Sequence, residues 1–329
     1  MAFMETLIKP EKKRYLSIDV FRGLTVAVMI FVNTTGEYMG LPAWSHHAKD
    51  YGLTYVDLVA PFFIFAIALT YHMFYKSGHV KEGWLQNNLR VIRRYFALVG
   101  IGFLGGGIVD MILQKTIHPI YNWGVFQAIG MAGLVTLLFI NLPRWWRLAA
   151  GILLWVTYQY LLVTFKLDDI NFTEEHSGFW GGLGYGIMML LATVVCEAFE
   201  TGRMYRFLAG GAVFTAAGIV TSFYWGISKN RLTGPYIFIA LGLACFFFYA
   251  IWYLYDKLQI TQGRSSFFAP IGKNPFFIYV FYGPLTLIPL LFIQFDSPWY
   301  QASFFGLLNV FIMWQVAAFL DRKRIYISI

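Results

Sequence analysis

The stretch His46-His47-Ala48-Lys49-Asp50-Tyr51-Gly52-Leu53-Thr54-Tyr55-Val56-Asp57-Leu58-Val59-Ala60-Pro61 runs directly into Phe62-Phe63-Ile64-Phe65-Ala66-Ile67-Ala68-Leu69-Thr70. Its first half is polar and its second half is apolar. From Leu58 to residue 75 there is no Asp, Glu, Lys or Arg. A helix of about 20 mostly apolar residues crosses the hydrocarbon core of a bilayer, and this run is of that order. The segment 54–75 therefore reads as a membrane span, with a histidine pair before it and a carboxylate, Asp57, near its start. Pro61 is expected to kink the span and free a carbonyl, which is tolerated where a helix lines a cavity.

Runs of the same kind recur at 17–37, 92–113, 123–141, 148–165, 179–199, 207–227, 235–255, 274–294 and 302–320. The connections are short, so the spans are expected to pack together. The fold class is all-α: a polytopic transmembrane helical bundle of about ten spans. Residues 1–14 read as a basic cytoplasmic tail and 15–329 as one transmembrane domain. The segment after the tail lacks a small-residue cleavage site and reads as a signal anchor.

Composition supports this. The chain is 58% hydrophobic and 13% charged, with mean hydropathy +0.59. Soluble domains have about 45–50% apolar and about 25% charged residues. The net charge of +8 is no sign of nucleic-acid binding, because the basic residues sit in short loops, where they set topology. With the N-terminus inside, eighteen Lys and Arg fall in inside segments and five (Lys49, Lys115, Lys166, Lys229 and Arg231) in outside loops. Both termini are therefore expected in the cytoplasm, and His46 and His47 on the outer face. Cys196 and Cys245 lie in apolar segments without a C-x-x-C, which argues against cysteine metal or redox chemistry.

Several polar residues stand at membrane depth, where ionisable groups are costly and usually paired or functional. Asp19 and Arg22 share a helix face at i, i+3. They form either an anchoring ion pair or a place where Arg22 meets an anionic ligand. Asn33, at the outer end of the first span, either glues helices or fixes a neighbouring group. Asp57 needs a partner if buried, and a histidine beside a carboxylate suits general-base catalysis. A metal site is the competing reading of the histidines, but further ligands are not evident. Asp110 and Gln127 are polar groups in the third and fourth spans. Arg90, Arg93 and Arg94 satisfy the positive-inside rule and equally suit a multiply phosphorylated cofactor arriving from the cytoplasm. Gly272-Lys273-Asn274-Pro275 either caps the ninth span or contacts a ligand.

The segments SIDVFRG (17–23), MIFVN (29–33) and HAKDYGLTYVDLVAPFFIF (47–65) resemble the catalytic domain of heparan-alpha-glucosaminide N-acetyltransferase and its bacterial relatives. RRYFALVGIG (93–102), WGVFQAIG (123–130) and GKNPFFIY (272–279) extend the likeness more weakly. The resemblance implies a transmembrane acyltransferase that takes an acetyl group from cytoplasmic acetyl-CoA to an amino sugar or glycan acceptor on the other side. It favours His47 over His46 as the catalytic histidine and Asn33 as a functional amide. It makes Asp57 an orienting partner, and with acetyl-CoA as the donor the residues Arg22, Arg93, Arg94, Gln127 and Asn274 are the expected cofactor contacts. It also implies the bacterial type without a lumenal domain, in an inner membrane with the His47 loop on the periplasmic side. Gln127-Ala128 stands where the family has Gln-Arg. A ternary complex and an acetyl-histidine intermediate are both open. The partners expected are the acceptor and membrane lipids, with apolar faces broad enough for a homodimer. The runner-up function is a transporter or exporter of a glycan or lipid intermediate, whose repeat symmetry is not evident in the sequence.

Overall fold

Among the described residues, each expected span overlaps helical structure. The computed structural model describes residues 15–113, 123–173, 175–261 and 266–327. The tail at 1–14, His118 and the side chain of Asp110 lie outside the described residues. The helices are α1 (Leu16–Thr35), α2 (Val59–Glu82), α3 (Trp84–Leu113), α4 (Val125–Phe139), α5 (Arg144–Phe165), α6 (Leu167–Thr173), α7 (Gly178–Glu200), α8 (Met204–Trp225), α9 (Gly234–Trp252), α10 (Ala269–Lys273), α11 (Pro275–Phe281) and α12 (Trp299–Arg322). Among the described residues, seven helices are long and apolar enough to cross a membrane, and two further apolar stretches, Val125–Phe139 and Pro275–Leu291, are shorter. No strand is present among the described residues, only an isolated bridge between Gly40 and Pro298.

The centre of the bundle is α7. Within its most apolar window 83% is buried, against 22% for α8 and 28% for α5. A helix buried on all sides belongs to the core, and one with an open apolar face meets lipid. Two polar ties hold α7 at one end of the bundle. His72 of α2 places Nδ1 2.8 Å from Glu200, and Arg147 of α5 pairs with Glu197. Glu197 and Glu200 are one helical turn apart, so the two ties share a face of α7. Buried charges require such partners.

At the same end, α1 starts on a borrowed cap. The backbone N–H of Leu16 and the hydroxyl of Ser17 donate to Asp256, in the π-helical turn after α9. A carboxylate there satisfies otherwise free helix donors and meets the positive end of the helix dipole. The helix then crosses α10 at Gly23 and Gly272. A Cβ on either residue would overlap backbone of the other helix, Phe268 O or Asp19 O. Gly272 is therefore a close-packing residue.

Two expectations change. Pro61 does not kink a helix, because α2 begins only at Val59. Pro61 lies in the first turn, where no intrahelical N–H bond is required. The preceding residues Val56–Leu58 form a 3₁₀ turn. The carbonyl four residues before Pro61, that of Asp57, accepts the Tyr236 hydroxyl at 2.6 Å. The ninth span is not one helix but α10, α11 and two 3₁₀ turns, Gly283–Leu287 and Pro289–Leu291. Pro270, Pro275, Pro284 and Pro289 each remove a backbone donor, and Gly283 adds a flexible point.

Candidate active site

The loop from Gly36 to Leu58 carries the histidine pair and is fixed at many points. His46 sets Nδ1 3.1 Å from the Gly36 carbonyl and Nε2 3.3 Å from the Leu41 carbonyl. Its ring is thus used to fold the loop. Ser45 and Tyr55 share a hydroxyl hydrogen bond of 2.8 Å, and Trp44 packs on the Tyr55 ring. The Gly52 N–H donates to Ile227 O, and the Asn230 amide donates to the carbonyls of Ala48 and Lys49. Arg231 grips Asp50 with two nitrogens and also reaches Asp168 and Asp169. This one guanidinium joins three loops, and Asp50 beside it holds its pKa above the ordinary arginine range.

The result is a defined pose for His47. Nδ1 lies 2.7 Å from Oδ1 of Asp57. The Asp57 side chain is fully buried, while that of His47 is 46% exposed. The other carboxylate oxygen receives the N–H groups of Thr54 at 2.9 Å and Ala48 at 3.3 Å, and the Thr54 hydroxyl lies between it and the His46 carbonyl. These donors make the buried charge tolerable. With the proton of Nδ1 directed to a carboxylate, the lone pair of the ring resides on Nε2. A carboxylate-oriented imidazole with its other nitrogen free to meet substrate is the geometry of a general base or nucleophile.

His47 lines a cavity of about 40 Å³ together with Met29, Val32 and Asn33 of α1, Val56, Val59, Ala60 and Phe63 at the start of α2, Val125 of α4, His176 and Lys229. That is room for one small group. The Asn33 amide donates to the Tyr282 hydroxyl at 2.6 Å, so the interrupted segment after α11 orients it. The sequence reading thus finds Asn33, His47 and Asp57 at one place.

Two residues at this cavity were missed. His176 has φ 46° and ψ 33°, and Ser177 and Gly178 also take left-handed conformations. Consecutive left-handed residues before a helix are strained, and such strain concentrates at functional sites. Nδ1 of His176 is buried with no hydrogen-bond partner among the described residues. Burial, then Lys229 and His47, push its pKa down to about 3, so it is uncharged at neutral pH. Ser177 ties to the Lys229 backbone carbonyl at 3.0 Å, which joins the two new residues. The available signal was topological, since charge counting puts Lys229 in an outside loop, on the face expected for His47.

The basic residues gather elsewhere. Arg22 donates to Thr70 at 2.9 Å. Four residues further along the same face of α2, the ring of Phe74 lies under Arg90 at 4.8 Å and Arg94 at 5.3 Å. Arg90 is held by Glu82 and Asn87, Arg93 is exposed and the Arg94 Nε is buried with no hydrogen-bond partner among the described residues. Thirteen residues separate Asp57 from Thr70, roughly 20 Å at the helical rise. Gln127 is not in this group. It is buried at the His47 end of α4, where its Oε1 accepts the Gly124 N–H. Asn274 is fully buried, and its amide group bonds Ile325 O and Ile327 N.

An imidazole–carboxylate pair and a distant arginine cluster in one membrane bundle suit a reaction with an anionic donor. The family model for heparan-alpha-glucosaminide N-acetyltransferase, catalytic, matches residues 14–179. The chain belongs to this family. It is therefore an integral membrane protein of transmembrane acetyltransferase type. Acetyltransferases of this type in general use acetyl-CoA as donor. The matched region takes in Asn33, His47, Asp57, the arginine cluster and His176, while Lys229, Arg231 and Asn274 lie beyond it. No curated protein matches the chain.

Proposed function

We propose that this chain transfers an acetyl group from cytoplasmic acetyl-CoA to an amine or hydroxyl of an amino sugar or glycan on the outer face of a bacterial inner membrane. The observation that carries the reading is the His47–Asp57 pair, opening on the same cavity as Asn33. Ten crossings are read from the apolar runs, and both termini inside from the loop charges. They set His47 on the outer side, and Arg22 of α1 and the arginines of α3 on the inner side.

The phosphates of the donor meet Arg22, Arg93 and Arg94, and its long arm reaches up the bundle toward His47. In the direct route the acceptor nitrogen or oxygen attacks the thioester carbonyl. Nε2 of His47 takes the acceptor proton, the carbon–sulfur bond breaks and the thiolate leaves to be protonated as CoA. Asn33 holds the carbonyl or the acceptor. Asp57 stabilises the imidazolium that forms. The ammonium of Lys229 favours the developing oxyanion, and neutral His176 keeps a second positive charge out of the cavity. In the two-step route Nε2 attacks the thioester first, the carbon–sulfur bond breaks and CoA leaves, and the acceptor then attacks the acetyl-imidazole and releases the His47 ring.

Purified protein in detergent is mixed with labelled acetyl-CoA alone, then with a panel of amino sugars. CoA release that depends on acceptor and vanishes in His47→Ala supports the proposal. Trapped label on His47 selects the two-step route. Unchanged CoA release in His47→Ala overturns the assignment. The interrupted segment at 269–291 is a feature shared with transporters, but no matching interruption exists among the described residues.

A further inference from the structure

We infer that the bundle carries a seat for the hydrocarbon tail of a lipid-anchored acceptor, beside the His47 cavity and open to the bilayer. The inference rests on the acetyltransferase reading and names its substrate class.

A second cavity, of about 540 Å³, lies where α1, the start of α2 and α9 meet. Its wall includes Leu24, Val28, Phe62, Phe246, Phe247 and Ala250. Protein interiors seldom leave so much space unfilled, so within a bilayer this groove holds hydrocarbon. Phe246, Phe247 and Ala250 are exposed, and the groove therefore opens sideways toward lipid. From Leu243 to Ala250 it follows α9 for roughly 10 Å.

The groove has little to offer a sugar. Its polar side chains are Thr25 and Tyr55. The Thr25 hydroxyl donates to Phe21 O at 2.8 Å, and the Tyr55 hydroxyl is bonded to Ser45. An apolar chain fits such a lining, and an aqueous glycan does not.

Position distinguishes this groove from an ordinary lipid contact. Val59 lines both the groove and the His47 cavity. Tyr55 stands at the upper rim, tied to the residue two before His47. A tail seated along α9 leaves its head group at that rim, next to a half-exposed imidazole. Anchoring the acceptor there raises its effective concentration at the base.

The test compares glucosamine with dodecyl β-glucosaminide as acceptors, using the full chain in nanodiscs and acetyl-CoA as donor. The expected result is a KM at least tenfold lower for the dodecyl compound. Ala250→Trp, on the lipid-facing wall, removes that advantage and leaves glucosamine turnover unchanged. Val28→Trp repeats the test from α1. An equal KM for the two acceptors, or an advantage that persists in both variants, overturns the inference.

A photoreactive dodecyl β-glucosaminide supplies a readout independent of turnover, which separates failure of the tail seat from failure of the acetyltransferase reading. Labelling of the α9 peptide that unlabelled dodecyl β-glucosaminide suppresses, and equimolar phosphatidylglycerol does not, supports the seat even if no acetyl transfer is detected. Equal suppression by both means the groove holds bulk lipid only and overturns it. So does a disulfide dimer from an Ala250→Cys variant that fills the groove with a second copy.

Discussion

The buried carboxylate of Asp57 holds Nδ1 of half-exposed His47 at 2.7 Å, and two backbone N–H groups hold the carboxylate in turn. Asp57 precedes α2, in a 3₁₀ turn whose last carbonyls are shaped by Pro61. The rigidity of the pair therefore comes from the loop and from Tyr236, not from a helix face.

Asp57→Asn keeps the volume but loses the charge that fixes the tautomer and stabilises the imidazolium. Steady-state CoA release is expected to show kcat reduced about 10²–10⁴-fold, with the KM for acetyl-CoA unchanged. A kcat within twofold of the parent would sink the orienting role.

The two adjacent histidines have different surroundings, which gives a clean comparison. His46→Ala removes contacts to the Gly36 and Leu41 carbonyls and is expected to cost about 1 kcal/mol in thermal stability, with activity largely kept. His47→Ala is expected to abolish turnover while the protein remains folded. Reversed outcomes would move the chemistry to His46.

His176 predicts a pH effect on stability. Its folded pKa is pushed down to about 3, whereas the ordinary value is 6.5. Between those values the unfolded state binds more protons, so stability falls as pH drops through the window. Above the upper value this loss is absent. In His176→Gln the acid side of a melting-temperature profile should be flatter than in the parent. Parallel profiles would show that His176 is already free to protonate in the folded protein.

Much of this was legible because bilayer-length apolar runs are a strong signal. All ten expected spans meet helical segments. The boundaries were less legible where polar chemistry intervenes. Hydropathy carried the second span back to Thr54, but α2 begins only at Val59, after a 3₁₀ turn, and Asp57 is held by the backbone N–H groups of Thr54 and Ala48 in the preceding loop. Hydropathy also counts Pro284 and Pro289 as compatible with a span, while hydrogen bonding breaks the helix there. At the site, His47 and Asp57 flank one short loop, so their pairing could be anticipated. His176 and Lys229 come from other loops. Arg231 and Asn230 bring those loops together, and no periodicity announces such a tether.

The arginines and Asn274 separate a donor site from a structural cap. Arg94 lies over Phe74 and Tyr95 with its Nε buried and without a hydrogen-bond partner among the described residues, so its guanidinium is placed rather than freely mobile. If it meets a donor phosphate, Arg94→Gln removes a charge-assisted bond of about 1.5–3 kcal/mol. The KM for acetyl-CoA should then rise roughly 10–100-fold with kcat little changed. Added salt should weaken donor binding less in the variant than in the parent. Asn274→Ala instead strips the partners of Ile325 and Ile327 in a fully buried position. It should lower the melting temperature, by an amount equivalent to about 1–3 kcal/mol, and leave the KM for acetyl-CoA alone. A KM shift in Asn274→Ala with none in Arg94→Gln would place the donor at the break between α10 and α11 rather than along α2.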